Sequence, residues 1–195
     1  MPDLIRTFIA IEPDAAIQHA LGDVQTRLQR ERAANFIRWV APANIHLTLK
    51  FLGNVETDRL PALTRTVREA CASYSPFTLS LHTLGAFPNL TRPNVVWVGL
   101  RGEIETAARL AEKIDAGCAA LGYAREARPF APHLTLGRVK KDARADELRS
   151  VGELIANFKA ELRGEIRVAR VSVMKSELKP SGSVYTRLEE IRLAE

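Results

Sequence analysis

A tetrapeptide that occurs twice constrains this chain more than any other feature: His46-Leu47-Thr48-Leu49 returns, letter for letter, as His133-Leu134-Thr135-Leu136. In an extended strand successive side chains point to opposite faces, so each copy turns a histidine and a threonine one way and two leucines the other. The leucines anchor the strand in a core. The polar pair sets a titrating imidazole beside a hydroxyl donor. Repeated packing accounts for repeated leucines but gives no reason to repeat the histidine and threonine. Two such strands facing one cleft bring two titrating groups and two donors together.

The surroundings of the motif repeat as well. Residues 6–12 read as a buried strand, followed by Asp14 as a helix N-cap and by Ile17, Leu21, Val24 and Leu28 at helical spacing through about residue 32. Arg38-Trp39-Val40 and Pro42 lead into the first motif strand, which runs through Leu52 and stops at Gly53-Asn54. A helix over 58–73, a strand over 76–84 and a loop over 85–93 complete the first half. The second half gives a strand over 94–100, a helix over 103–121, the second motif strand after Pro132, a helix over 142–159 and a strand over 165–175. The tail, 176–195, adds one more strand or a hairpin around a turn at 180–183. From Phe8 to His46 is 38 residues and from Val96 to His133 is 37. An internal duplication over about 1–93 and 94–195 is the economical explanation. The expected architecture is α+β: a single domain of two pseudo-twofold lobes, with antiparallel sheets lining a central cleft and helices outside.

Composition sets the broad class. At 195 residues and 46% apolar content the chain can bury a substantial core. A net charge of +5 and a pI near 9.5 favour an anionic partner, with nucleic acid the obvious candidate. Cys71 and Cys118 lie in Ala-rich helical segments without a Cys-x-x-Cys pair, and read as buried reduced thiols. The opening residues lack a charged stretch leading into an apolar core, and no apolar run reaches membrane-spanning length. A cytoplasmic protein with no membrane association is expected, and no obligate protein partner is evident from the sequence. The sequence contains no Walker loop, Gly-x-Gly-x-x-Gly, Gly-x-Ser-x-Gly or His-Glu-x-x-His.

Two imidazoles with ordinary pKa values near ~6.5 can divide acid and base duties at neutral pH. That division suits displacement at phosphorus, where one group activates the nucleophile while the other protonates the departing oxygen on the opposite side. Thr48 and Thr135 can donate to the non-bridging oxygens. Arg138, two residues beyond the second tetrapeptide and freed by Gly137, can add a charge-assisted contact. Lys50 shares the face of His46 and Thr48 if the alternation continues; otherwise it is a solvated surface lysine. No carboxylate cluster or Cys-His set accompanies these residues, so neither a metal nor another cofactor is expected. His19, opposite Ile17 and Leu21 on its helix, and His82, whose neighbour Thr83 falls on the other face, read as structural.

These residues resemble the two-histidine phosphoesterase superfamily, and more narrowly the bacterial and archaeal RNA 2′,3′-cyclic phosphodiesterases, long labelled 2′-5′ RNA ligases. The likeness runs through residues 6–11, 46–53, the 85–88 turn, 132–138, Ser176-Glu177-Leu178 and Tyr185. The resemblance implies a bilobal fold around a central cleft and hydrolysis of a terminal ribose 2′,3′-cyclic phosphate to a 2′-phosphomonoester, without a metal. It implies His46 as the acid on the O3′ leaving group and His133 as the base for water. It makes Thr48, Thr135 and Arg138 phosphate ligands. Phe51 matches a position that stacks on a nucleobase, although a phenylalanine there also suits core packing. The partners implied are RNA ends or nucleotides bearing a 2′,3′-cyclic phosphate. Ligation through a 2′-5′ bond, turnover of small cyclic nucleotides, and a non-catalytic RNA- or nucleotide-binding module remain as alternatives.

Overall fold

Alternating strands and amphipathic helices follow one another as the sequence spacing requires. The computed structural model describes residues 3–159, 162–179 and 182–194. In chain order the elements are β1 (Leu4–Ile11), α1 (Ala15–Leu28), β2 (Ile37–Trp39), β3 (Leu47–Glu56), α2 (Leu60–Cys71), β4 (Phe77–Phe87), β5 (Val95–Gly102), α3 (Ile104–Ala120), β6 (His133–Val139), α4 (Ala145–Ala156), β7 (Glu165–Val168), β8 (Arg170–Lys179) and β9 (Gly182–Arg192). The Asp14 carboxylate caps α1 by accepting the Ile17 N–H at 2.9 Å. Ile17, Leu21, Val24 and Leu28 form the buried stripe of α1, as their spacing requires.

The strands form one antiparallel sheet in the order β7-β4-β5-β6-β3-β1-β8-β9, with β2 pairing with the later residues of β6. The two motif strands meet in the middle through one pair, Leu47 opposite Leu134. Both leucines are at most 1% exposed, and each stabilises this seam by about 1.5–3 kcal/mol. On each side of the seam a motif strand is followed by the strand that opens its own half of the chain, β1 or β5. Next comes a strand from the other half: β8 beside β1 and β4 beside β5. Strands from opposite ends of the chain therefore complete each lobe. Residues such as Ile9, Ile11, Leu47, Leu134 and Leu136 face a core shared with α1, α2 and α3. Phe8, Ala10 and Met174 cluster with Tyr185 on the opposite face, which forms the cleft. The α+β antiparallel architecture is the one expected, except that the separate sheets expected for the two halves are joined into one across the Leu47–Leu134 seam.

Several boundaries differ from the sequence reading. β3 continues past Gly53 to Glu56 because Gly53, at φ 72°, takes a left-handed conformation that a bulkier residue would resist. β4 continues through Gly85, Ala86 and Phe87, which the sequence spacing assigns to a loop. A Cβ on Gly85 would lie 2.3 Å from the Trp97 ring, so glycine here makes room for the indole instead of making a turn. Arg38 and Trp39 form a strand of their own, paired with β6. The strand expected over 165–175 breaks at Ala169 into β7 and β8. Pro180 and Ser181 of the expected turn lie outside the described residues.

A bulge explains the largest departure. Between Ile9 and Ala10 the β1–β3 register slips: Ile9 pairs with Lys50 but Ala10 pairs with Thr48, leaving Leu49 as an extra residue. The slip reverses the alternation, so Lys50 turns away from the cleft. It is 2% exposed, 2.6 Å from Asp115 of α3, and its Nζ donates to the Ala124 carbonyl at 2.5 Å. Lys50 is thus a buried structural cation, neither a cleft residue nor a solvated one. Burial alone would raise the Asp115 carboxyl, but bonds from Lys50 and the Glu126 N–H, with the charges of Lys50 and Arg125, hold it below its ordinary 3.8. That stabilisation is fully present above pH 3.8 and is lost as pH falls through the lower native value. Asp115→Ala should destabilise the fold by about 3–5 kcal/mol, because an uncompensated ammonium stays buried. An unfolding free energy from urea titration within about 1 kcal/mol of wild type would contradict this structural role.

Candidate active site

Both histidines are held by the same local device. The Nδ1 of His46 lies 2.8 Å from the Asn44 carbonyl, and that of His133 lies 2.7 Å from the Ala131 carbonyl. A carbonyl oxygen can only accept, so each Nδ1 carries the proton. Each Nε2 is then left to take up or release a proton. The short turn Pro42–Asn44 that presents the first carbonyl is fastened to β9 by Asn44 Nδ2 donating to the Ser183 carbonyl at 3.0 Å. Aromatic rings fix the imidazole planes. His46 packs against Phe8 at 4.7 Å between ring centres and meets Tyr185 edge-on at 5.1 Å. His133 meets Phe87 edge-on at 4.9 Å, and Phe87 in turn packs on Trp97 at 5.0 Å.

Bulges decide what else reaches the cleft. Beyond Leu49 the reversed alternation pairs Phe51 with Phe8 on the cleft face, with ring centres 6.2 Å apart. Phe51 is 56% exposed, so it is not a core residue. The second motif strand does the same. Trp97 pairs with Thr135 but Val96 pairs with Gly137, leaving Leu136 as the extra residue and returning Arg138 to the side of His133. The two bulges are equivalent, one residue past each threonine, and they make Phe51 and Arg138 counterparts. The Leu136 carbonyl set loose by the bulge accepts Val40 N–H and Gln25 Nε2, both at 2.9 Å, which accounts for a glutamine only 4% exposed. The structure thus gathers His46, Thr48 and Phe51 in one half of the cleft and His133, Thr135 and Arg138 in the other, with Lys50 excluded.

The electrostatics of the two halves differ. Burial is the main reason both imidazoles titrate below the ordinary 6.5, against the opposing pull of their carbonyl bonds. The charge of His133 also lowers His46, so the two groups sense each other. Beyond these shared effects, Glu12 raises His46 and Arg138 lowers His133. Glu12 directly follows Ile11, the partner of Leu47, and it lies in phase with Phe8 and Ala10 on the cleft face. Its Oε2 accepts from Ser172 Oγ at 2.6 Å and from Arg187 Nε at 2.8 Å. These bonds outweigh its burial and keep it ionised. On the other side, the residue opposite His133 is Gly99. Sequence reasoning missed Glu12, Arg187, Phe87 and Trp97; carrying the alternation of β1 two residues past Ala10 would have found the first.

A family model described as the 2′-5′ RNA ligase superfamily matches residues 13–180. The chain belongs to that superfamily. An RNA 2′,3′-cyclic phosphodiesterase of Methanothermobacter thermautotrophicus is 35% identical over 189 residues, covering 97% of this chain and 99% of the relative. The crystal structure of TT0787 of Thermus thermophilus superposes with a TM-score of 0.77 at 30% identity, covering 96% of this chain and 97% of that one. Escherichia coli LigT, crystallised in complex with 3′-AMP, gives a TM-score of 0.76 at 26% identity, covering 99% of this chain and all of that one. Among the described residues, no three His, Cys, Asp or Glu side chains are grouped to hold a metal ion, and no helix is long and apolar enough to cross a membrane.

Glu12→Gln should lower the titration midpoint of His46, because it removes a negative charge that favours the imidazolium, and should leave His133 where it is. NMR titration of the two imidazoles measures both midpoints. An unmoved His46, or a His133 that moves equally, would show that Glu12 does not distinguish the two halves.

Proposed function

We propose that this protein is a phosphodiesterase that hydrolyses the terminal 2′,3′-cyclic phosphate of RNA to a 2′-phosphomonoester, with His46 as acid and His133 as base. The observation that carries the reading is the matched pair of Nδ1–H bonds to backbone carbonyls, which leaves two Nε2 atoms available for proton transfer. Water attacks phosphorus as His133 Nε2 takes its proton. The P–O3′ bond breaks, and the proton on His46 Nε2 passes to O3′. Glu12 favours a charged His46 and Arg138 a neutral His133, which agrees with the acid and base roles drawn from the family resemblance. Thr48, Thr135 and Arg138 hold the non-bridging oxygens, where charge must be stabilised as bonds change. Phe51, exposed at the rim, offers a nucleobase a stacking face.

The names of the full-length relatives favour RNA ends as substrate, and the basic chain suits a polyanion. The buried, unpaired Cys71 and Cys118, with thiols pushed up to about 12 and about 11 by burial, suit the reducing cytoplasm.

An EDTA-treated sample given a short RNA with a 2′,3′-cyclic end should release only the 2′-phosphate. His46→Ala and His133→Ala should each abolish turnover while the protein remains folded. Since both imidazoles titrate below 6.5, kcat/KM of the free enzyme should follow a bell centred on the acid side of that value. A 3′-phosphate product, or activity retained in either variant, would overturn the assignment.

A further inference from the structure

The β1–β3 ladder slips a second time. Thr7 pairs with Gly53 but Phe8 pairs with Phe51, which leaves Leu52 as an extra residue of β3. Val55, opposite Ile5, is thereby returned to the buried core under the helices. Arg6 and Asn54 face each other on the neighbouring rung, so both turn to the cleft side, two residues along β1 from Phe8. Both are exposed. Arg187, on the same half of the cleft, is committed to Glu12 and Glu190. The Arg6 guanidinium, by contrast, has no hydrogen-bond or ion-pair partner among the described residues.

Position decides what this cation meets. Along β1, Ala10 lies opposite Thr48, Phe8 opposite Phe51 and Arg6 opposite Asn54. The cleft face therefore presents a hydroxyl aimed at the reacting phosphate, then an exposed ring, then an unpaired guanidinium, with about 13 Å of strand between Ala10 and Arg6. An RNA end presents its groups in the same order: the cyclic phosphate, the terminal nucleoside, and the phosphate on the O5′ of that nucleoside. We propose that Arg6, assisted by the Asn54 amide, binds this 5′-phosphate, through which the terminal nucleotide is joined to the rest of the strand. A guanidinium suits it, since its fork of donors matches two phosphate oxygens. A nucleoside cyclic phosphate with a free 5′-hydroxyl fills the reacting site but leaves Arg6 unused. The contact thus selects RNA ends over the smallest cyclic nucleotides. This inference rests on the hydrolytic reading above, which seats the terminal nucleoside beside Phe51.

The test measures kcat/KM on a nucleoside 2′,3′-cyclic phosphate, on the same compound carrying a 5′-phosphate, and on a dinucleotide ending in the cyclic phosphate. Wild type should favour both 5′-substituted compounds over the first by about tenfold or more, the worth of one charge-assisted contact. Arg6→Ala should remove most of that advantage and leave the unsubstituted compound within about twofold of wild type. On the dinucleotide, its plot of log kcat/KM against log salt concentration should be shallower by about 0.7, one phosphate contact fewer. Arg6→Lys should keep part of the advantage, since an ammonium retains the charge but loses the fork. A dinucleotide favoured over the 5′-phosphorylated mononucleotide supports RNA as the source of the phosphate; the reverse order would overturn that assignment in favour of a free nucleotide. An equal fall on all three compounds, no fall on any, or a wild type indifferent to the 5′-phosphate would overturn the site itself. A wild type that hydrolyses none of the three would instead refute the hydrolytic reading.

Discussion

The extra residue one place beyond each motif threonine, Leu49 in β3 and Leu136 in β6, controls what faces the cleft. Up to the threonine each strand alternates regularly and buries its leucine in the shared core. At the bulge the phase inverts, so the next residue points into the protein and the one after it returns to the cleft. In β3 those residues are Lys50 and Phe51; in β6 they are Gly137 and Arg138. Each consequence needs a partner elsewhere in the chain. The inward Lys50 requires Asp115 of α3, the inward Gly137 admits β2, and the Leu136 carbonyl requires Gln25 of α1. Irregularity at two points of a sheet is thus supported by three separate elements.

The two halves share one framework but differ in charge. Each histidine donates from Nδ1 to the carbonyl two residues before it and is braced by aromatic rings. Beside His46 stands Glu12, fixed by Ser172 and Arg187, whereas glycine stands opposite His133 and Arg138 lies near it. The backbone supplies two equivalent positions, and three charged side chains make them unequal. This inequality is what a displacement with distinct entering and leaving sides requires. In the helical layer, away from the histidines, a groove of about 980 Å³ is lined in part by Arg27, Phe36, Arg144 and Phe158.

Local pattern made much of this legible in the sequence. Alternation placed His46, Thr48, His133 and Thr135 together and the leucines opposite, and helical spacing found the buried faces of α1 and α2. Alternation failed at Lys50, because a bulge depends on the partner strand and leaves no mark in its own sequence. It left the place of Phe51 open for the same reason. The exchange of β4 and β8 between lobes also went unread, since pairings such as Thr7 with Lys175 join residues far apart in the chain. Glu12 escaped notice as the last residue of an apparently apolar strand.

The proposed catalysis by this pair requires that both imidazoles keep the proton on Nδ1 and work through Nε2. Nitrogen-15 NMR of the ring nitrogens of His46 and His133 across a pH titration tests that requirement most directly. Each neutral ring should be the Nδ1–H tautomer, with Nε2 the nitrogen that gains and loses the proton. An Nε2–H tautomer at either histidine would mean that its carbonyl bond is not made in solution, and the paired acid and base would fail with it.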